Sequence, residues 1–500
     1  MSVPRLSLQT LDQRGAEVRG PAVDPRETQV GIVHLGVGAF HRAHQAVFTE
    51  DAAGATGETR WGILGVTQRS PRVAEQLRPQ DGLYGVLTKG RDATSLRVIG
   101  SMRGAAFLRV DVDVLEAIAA PTTHVVSSTV SEKGYRRTSS GRPDLGDDDL
   151  SADVATLWRE LDGDRPEDAP ARTPVGALAR GLFRRRRAHG APLTVVCCDN
   201  MVDNGRVVAA LLDDVLEAVG TRADALRAWV EQSVRFPVTM VDRITPATTD
   251  AHRAEAQALL GLRDDALVVA EPFSQWVIED DFAGPRPAWE RAGATLTADV
   301  APWERAKLRM LNGAHSTVAY LGALRGHRMI DQAVTDPAIE AVVRRLMDDE
   351  VAPTLTPPPG LDLAVYRDSV IERFANPATG YTTLQVAGDG SQKLPIRLLG
   401  TVADRLAAGA VPEAATLATA AWMVFVARGQ DARGDALPLD DPLADRLRRA
   451  ADGPEASLVD RMLDVHEVFA EPLREHDGFR TRLRADVAQL LAEVGARATV

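Results

Sequence analysis

Val30-Gly31-Ile32-Val33-His34-Leu35-Gly36-Val37-Gly38-Ala39-Phe40-His41 reads as a short apolar strand running straight into a glycine turn. The residues after it, to about Asp51, have the texture of a helix. A strand, a Gly-x-Gly turn and a helix in that order are the usual setting for a dinucleotide. The glycines let the backbone approach a pyrophosphate, which then sits at the start of the helix. The third glycine of that fingerprint is replaced by His41, so the motif alone also fits a tight turn with no ligand. Gly36, Val37, Gly38, Ala39 and Phe40 are the candidate cofactor-binding residues of this turn.

Working outward, residues 61–66, 125–130 and 193–198 repeat the same short, β-branched, uncharged style. Such strands alternating with helical stretches imply a mostly parallel sheet covered on both faces. The second half of a dinucleotide fingerprint is a carboxylate at the end of the second strand, where it binds ribose hydroxyls. Here that place reads Thr67-Gln68-Arg69-Ser70-Pro71-Arg72, with two arginines and no acid. Arg69 suits a 2′-phosphate as well as it suits a solvated loop, so NADP stays open beside NAD. Residues 136–174 turn to Ser, Gly, Asp, Pro and Arg, which reads as a surface excursion with one short helix near 152–160. Beyond Trp303 strand-like runs nearly vanish, and helical periodicity dominates residues 338–347, 403–427 (broken near Pro412) and 483–494. The expected fold is therefore α/β. A Rossmann-like parallel-sheet domain over residues 1–298 is followed by a mainly helical substrate and catalytic domain over 299–500.

Bulk properties narrow the function classes. A chain of 500 residues with 45% hydrophobic and 26% charged residues is globular and too long for one ordinary core. A formal net charge of -12 leaves no basic excess to neutralise nucleic-acid phosphates, while a small anion needs only a local positive pocket. The two cysteines, Cys197 and Cys198, are adjacent, which suits neither a disulfide nor a zinc ligand set. A reducing compartment, the cytoplasm, is expected, with no signal peptide, no membrane span, no metal and no feature that demands more than a monomer.

The stretch Lys307-Leu308-Arg309-Met310-Leu311-Asn312-Gly313-Ala314-His315 carries the chemistry. At about 100° per residue, Lys307, Asn312 and His315 share an arc of roughly 140°, so one helix aims an amine, an amide and an imidazole the same way. Oxidising a carbinol needs a base for the hydroxyl proton, a task open to a lysine in a buried or positively charged setting. The developing alkoxide needs donors, and neutral amides suit it. Spacing alone fits a solvated helix face equally well, because lysine is usually exposed.

Six blocks occur in order: GVGAFHRAH (36–44), SEKGY (131–135), CDNMVDNG (198–205), MVDRITP (240–246), EPFSQWVIED (271–280) and KLRMLNGAHS (307–316). Together they resemble the polyol-specific long-chain dehydrogenase family from about residue 28 to beyond residue 400. The resemblance implies an NAD(P)-dependent, metal-independent secondary-alcohol dehydrogenase. It makes Lys307 the general acid–base, Asn200 and Asn312 the oxyanion site, and His315 the residue that positions a substrate hydroxyl. Asp242 contacts the sugar chain, Glu304 relays protons to water, and Glu132 joins Arg69 and the glycine turn at the cofactor. From the residues alone, Asn200 and Asp242 fit turn or capping positions equally well. A catalytically silent, nucleotide-sensing relative would lack one of Lys307, Asn312, His315 or Asn200, and all four are present.

For the substrate, Gln385 followed by Asp389-Gly390-Ser391-Gln392-Lys393-Leu394-Pro395 and then Arg397 resembles the fructuronate-reductase-like members rather than the mannitol-type ones. Lys393 or Arg397 can pair with a uronate carboxylate, an arginine in bidentate fashion; an outward-facing Arg397 and a Lys393 that binds only a hydroxyl fit the residues nearly as well. The segment Ala378-Thr379-Gly380-Tyr381-Thr382 departs from that subgroup, which carries a basic pair there. The expected reaction is interconversion of D-fructuronate and D-mannonate, with mannitol or another polyol as the alternative.

Overall fold

β1 (Val30–Leu35) is buried along almost its whole length, and its side chains alternate between two cores. Val33 and Leu35 enter one and Ile32 the other, as the two-residue period of a strand requires. A strand buried on both faces must lie inside a covered sheet. The computed structural model, which describes residues 3–138 and 140–497, shows how that sheet is built. After β1 come β2 (Gly62–Thr67), β3 (Tyr84–Lys89), β4 (Thr94–Ile99), β5 (Met102–Phe107), β6 (Val125–Ser128), β7 (Leu193–Cys197) and β8 (Val234–Arg235). They are followed by β9 (Thr239–Asp242), β10 (Val268–Ala270), β11 (Gln275–Glu279) and β12 (Thr295–Thr297).

Among the described residues, six of these strands form one sheet in the order β5-β2-β1-β6-β7-β8, every neighbouring pair parallel. Helices Asp113–Ala119, Pro174–Ala188 and Asn204–Val219 cover the face of Val33 and Leu35. Helix Gln45–Thr56 and the Trp276–Trp289 pair, with ring centroids 4.7 Å apart, help cover the other. Two smaller sheets, β10-β3-β4 and β12-β11-β9, complete the unit Met1–Val300. Helix Asp148–Asp162 is longer than the segment expected at 152–160. Asp147 caps it by accepting from Asp149 and Leu150, and its buried Glu160 pairs with Arg180.

The second unit, Ala301–Val500, is built from helices packed around Gly313–Leu324 and Glu413–Arg428. The expected break near Pro412 separates Gly400–Ala407 from Glu413–Arg428. Proline offers no side-chain cap, so the buried Glu350 carboxylate accepts from the Ala414 and Ala415 amides at 2.7 and 2.8 Å. Among the described residues no helix is long and apolar enough to cross a membrane. The fold is thus a Rossmann-like parallel-sheet domain with a helical C-terminal region.

His41, at the place of the missing third glycine, stacks on His34 of β1 with ring centroids 3.4 Å apart. Thr129 gives its own hydroxyl proton to the Gly36 carbonyl, so its oxygen accepts from His34 Nε2 at 2.8 Å, and His34 Nδ1 meets Ser127 Oγ at 2.8 Å. Burial pushes His34 down to about 3 and holds His41 well below the usual imidazole value, with the neighbouring His34 adding to the latter. Unfolded histidine takes up a proton near pH 6.5 and the folded His34 does not until about 3, so its contribution to stability is present above 6.5 and lost as pH falls through that window. The urea midpoint should fall between pH 7 and pH 5. A His34→Asn variant, weaker at pH 7, should lose less over the same interval, as measured by denaturation at both values.

Candidate active site

The strand order reverses at β1, with β2 on one edge and β6 on the other. In open parallel sheets the crevice at the carboxyl ends of such strands is where ligands bind. The chain leaves β1 through Gly36 at φ +99°, and a Cβ there would meet the Thr129 carbonyl oxygen at 2.3 Å, so only glycine fits. The Gly36 and Val37 amides donate to Val66 of β2 at 2.8 and 3.0 Å, which ties the turn to its neighbour. Gly38 differs: a Cβ there would meet nothing nearer than the Gly36 oxygen at 3.8 Å. Half-buried, Gly38 leads into Ala39–Ala43, where Phe40 stacks on His44 with centroids 5.0 Å apart. One crowded glycine and one open glycine make a cradle that fits a dinucleotide.

The other predicted residues of this unit fall at strand ends. Arg69 is exposed just past β2 and donates to Ser131 Oγ at 3.0 Å. Glu132 lies in the turn Glu132–Tyr135, and its side chain is outside the described residues. Asn200 is exposed in the bend two residues beyond Cys198. Asp242 is the buried last residue of β9, in register with Gln275 of β11. The reading of the sequence passed over Asp199, whose carboxylate accepts from the Val130 and Ser131 amides at 3.2 and 2.7 Å and from the Tyr135 hydroxyl at 2.6 Å. Its local signal was only its place in Cys198-Asp199-Asn200, since its partners lie some seventy residues earlier.

In the second unit Lys307 and Asn312 are buried, at 8% and 7% exposure, and Glu304 is buried one turn earlier. The helix is not α-helical here: residues 307–312 form a π-helical stretch between Ala301–Ala306 and Gly313–Leu324. A π turn hydrogen-bonds residues five apart, so Asn312 stands one turn above Lys307 on the same side. In an α-helix these two would mark opposite edges of the arc. His315 follows, half-buried, stacked on Phe374 at 4.6 Å and edge-on to Tyr381 at 5.9 Å. These rings fix the imidazole plane.

A second π stretch, Pro395–Leu399, runs close by: a Cβ on Gly313 would meet the Arg397 carbonyl oxygen at 2.8 Å. The segment before it is anchored firmly. Asp389 adopts φ +55°, and Gly390 sits so near Trp422 and Tyr320 that a Cβ would meet them at 2.4 and 2.7 Å. The Ser391 amide and hydroxyl donate to Asp441 at 2.8 and 2.6 Å. Lys393 folds back on the Gly388 carbonyl at 2.5 Å and pairs with Asp389 at 3.7 Å; burial, then the charge of Arg397, lowers its pKa. Arg397 reaches the helix of His315, where it donates to the neutral Ser316 hydroxyl at 3.1 Å. Burial pushes its guanidinium down to about 10, its Nε is buried without a partner, and no ion pair to it exists among the described residues. The neighbouring Tyr320 and the charge of Asp389 offset part of that cost.

A doubly wound sheet with a glycine cradle at its reversal, and a helical unit carrying lysine, asparagine and histidine on one helix, define a dehydrogenase of the Rossmann class. Two family models match the chain, the mannitol dehydrogenase Rossmann domain over residues 30–291 and the mannitol dehydrogenase C-terminal domain over residues 299–491. The chain belongs to the mannitol dehydrogenase family of oxidoreductases. It is 40% identical over 498 residues to D-mannonate oxidoreductase of Escherichia coli, covering 98% of this chain and 99% of that one. Among solved structures, a ternary complex of Pseudomonas fluorescens mannitol 2-dehydrogenase with NAD and D-mannitol shares 34% identity at a TM-score of 0.82, with 99% of each chain covered. A substrate-free D-sorbitol dehydrogenase shares 31% identity at a TM-score of 0.88, covering 99% of this chain and 100% of that one.

Gly313→Ala tests the close approach of the two π stretches. The added methyl group needs a backbone shift, because its neighbour is a carbonyl rather than a flexible side chain. Turnover should fall by roughly 10²-fold, the scale expected for an ångström of misplacement, while the protein stays folded by circular dichroism.

Proposed function

We propose that this chain interconverts D-fructuronate and D-mannonate, using NAD as the hydride carrier and Lys307 as the general acid–base. The observation that carries the sugar-acid reading is the Arg397 guanidinium, desolvated and bonded to a neutral hydroxyl with no carboxylate partner among the described residues. A uronate or aldonate carboxylate supplies the missing charge and accepts its donors in bidentate form. The 40% identity to D-mannonate oxidoreductase along nearly all of both chains supports the same substrate pair.

Within this reading NAD, held at Gly36 to Phe40 with Arg69 and Glu132 nearby, accepts or donates the hydride. Lys307 takes the hydroxyl proton as a secondary alcohol is oxidised and returns it to the alkoxide in reduction. Its burial keeps water from competing at the nitrogen. Asn312, one π turn above, donates its amide to the developing alkoxide, and Asn200 is assigned the second amide. His315, its plane set by Phe374 and Tyr381, orients a neighbouring hydroxyl. Asp242 accepts from the sugar chain, Glu304 passes the Lys307 proton to water, and Lys393 assists Arg397.

A neutral polyol such as mannitol is the second reading, favoured by the Lys393–Asp389 pair, which offsets part of the local positive charge. One assay separates them: NADH and NADPH oxidation with fructuronate, tagaturonate and fructose side by side. Fructuronate should be reduced best, and reduction of fructose alone would refute the sugar-acid reading. Lys307→Ala should lower kcat by about 10³-fold or more while NADH still binds, as judged by fluorescence titration. Arg397→Leu should raise KM for uronates by roughly 10- to 100-fold, the worth of a charged hydrogen bond, and leave neutral ketoses nearly unaffected. Equal losses for both substrates would remove the role given to Arg397.

A further inference from the structure

We infer that Asp199 is a positioning residue for the dinucleotide, holding the Ser131 turn in a shape the chain would not keep by itself. The inference rests on the dinucleotide reading of the glycine cradle.

Ser131 has φ +68° and ψ 158°, a region that glycine occupies readily and a residue with a Cβ does not. Such a conformation persists where the surroundings over-determine it. One carboxylate supplies several of the restraints here, beside the Gly134 amide, which donates to the Ser131 carbonyl at 2.9 Å, and Arg69 at Ser131 Oγ. Asp199 Oδ1 accepts from the Ser131 amide at 2.7 Å, and Oδ2 accepts from the Val130 amide at 3.2 Å and the Tyr135 hydroxyl at 2.6 Å. The amides enter the turn and the phenol closes it, so both ends are tied to one side chain. Desolvation above all, with Cys197 and Asp199 beside it, holds the Tyr135 phenol well above its ordinary pKa, so it remains a donor.

The carboxylate is itself held in place. The Cys198 amide donates to the Ser128 carbonyl at 2.8 Å, extending the β6–β7 ladder to the residue before Asp199. The fully buried Asn204 donates to the Asp199 carbonyl and the Thr239 carbonyl, both at 2.9 Å, and accepts from the Thr239 amide at 2.9 Å. Asp199 therefore transmits the fixed geometry of β7 and β9 to a turn at the end of β6.

That turn borders the cradle. The Thr129 carbonyl is the atom against which Gly36 packs, and a Cβ on Gly36 would also come within 3.2 Å of Val130 Cγ1. From the opposite edge, Arg69 beyond β2 donates to Ser131 Oγ. Residues 129–131 are thus a wall of the crevice at the point where the strand order reverses. If Ser131 relaxes toward ordinary backbone angles, the wall moves and the turn that begins at Glu132 moves with it.

A residue that merely joins β6 to β7 would affect melting and leave cofactor affinity unchanged. The test measures the Kd of the full-length protein for NADH by fluorescence titration. Asp199→Ala should raise it by about tenfold or more, and Tyr135→Phe, which removes one of the carboxylate's four donors, by less. Ser131→Gly accepts the same angles without strain. It also removes the hydroxyl that Arg69 meets, so its own Kd is the reference for the double variant; combined with Asp199→Ala, it should recover most of the affinity that Asp199→Ala alone loses. Asp199→Asn, which keeps an acceptor for the Ser131 amide, should fall between wild type and Asp199→Ala and serves if the alanine variant does not fold. An unchanged Kd in Asp199→Ala, or in Asp199→Asn should that variant alone fold, overturns the inference whatever the melting temperature. A double variant as weak as Asp199→Ala overturns it too. A wild type that binds neither NADH nor NADPH would instead remove the dinucleotide reading and this inference with it.

Discussion

The backbone of β1 is hydrogen-bonded to β2 along one edge and to β6 along the other, and the sheet winds outward from it in both directions. Right-handed crossovers place the helices of the two halves on opposite faces, so neither half covers the carboxyl end of β1. The exit from β1 must then be both narrow and open. Gly36 meets the first demand by packing against Thr129, and Gly38 meets the second by presenting bare backbone. His41 stands where a third glycine would allow close packing, and its ring fills that space by stacking on His34. The neutral state of both rings links the exit of β1 to the pH dependence of folding.

The helical unit has its own close approach. Gly313 admits the Arg397 carbonyl to the helix that bears Lys307, Asn312 and His315. Two π stretches meet there, and each shifts the facing of the side chains it carries. In the first, Lys307 and Asn312 come into line. In the second, Arg397 turns to Ser316 beside His315. The polar groups proposed to handle a proton and an anion thus share one scaffold, whose packing against Trp422 and Tyr320 leaves little slack.

Several features were legible from residues alone. The strand before Gly36, the alternation of short apolar strands with helices, and the helical texture beyond Trp303 each follow from local periodicity, which the chain obeys. The lysine, asparagine and histidine were visible as one helix face. What periodicity could not supply was the π register, because five-residue spacing looks the same in sequence whether the turn is tight or wide. Asp199 escaped notice for another reason: its partners at 130, 131 and 135 become neighbours only when β6 and β7 pair. Helix Asp148–Asp162 was underestimated because polar, proline-flanked sequence conceals the buried Glu160–Arg180 pair that anchors it.

By itself the sequence determined four strands of the parallel sheet, the glycine turn after the first and the identity of the chemical groups, because these depend on interactions within a few residues along the chain. Only the tertiary structure decided which of those groups face one another and which are desolvated. The strain at Ser131, the alignment of Lys307 with Asn312 and the burial of the Arg397 guanidinium all arise from contacts between segments far apart in sequence. Burial and backbone approach are properties of packing, and a linear pattern carries them only after the chain has closed on itself.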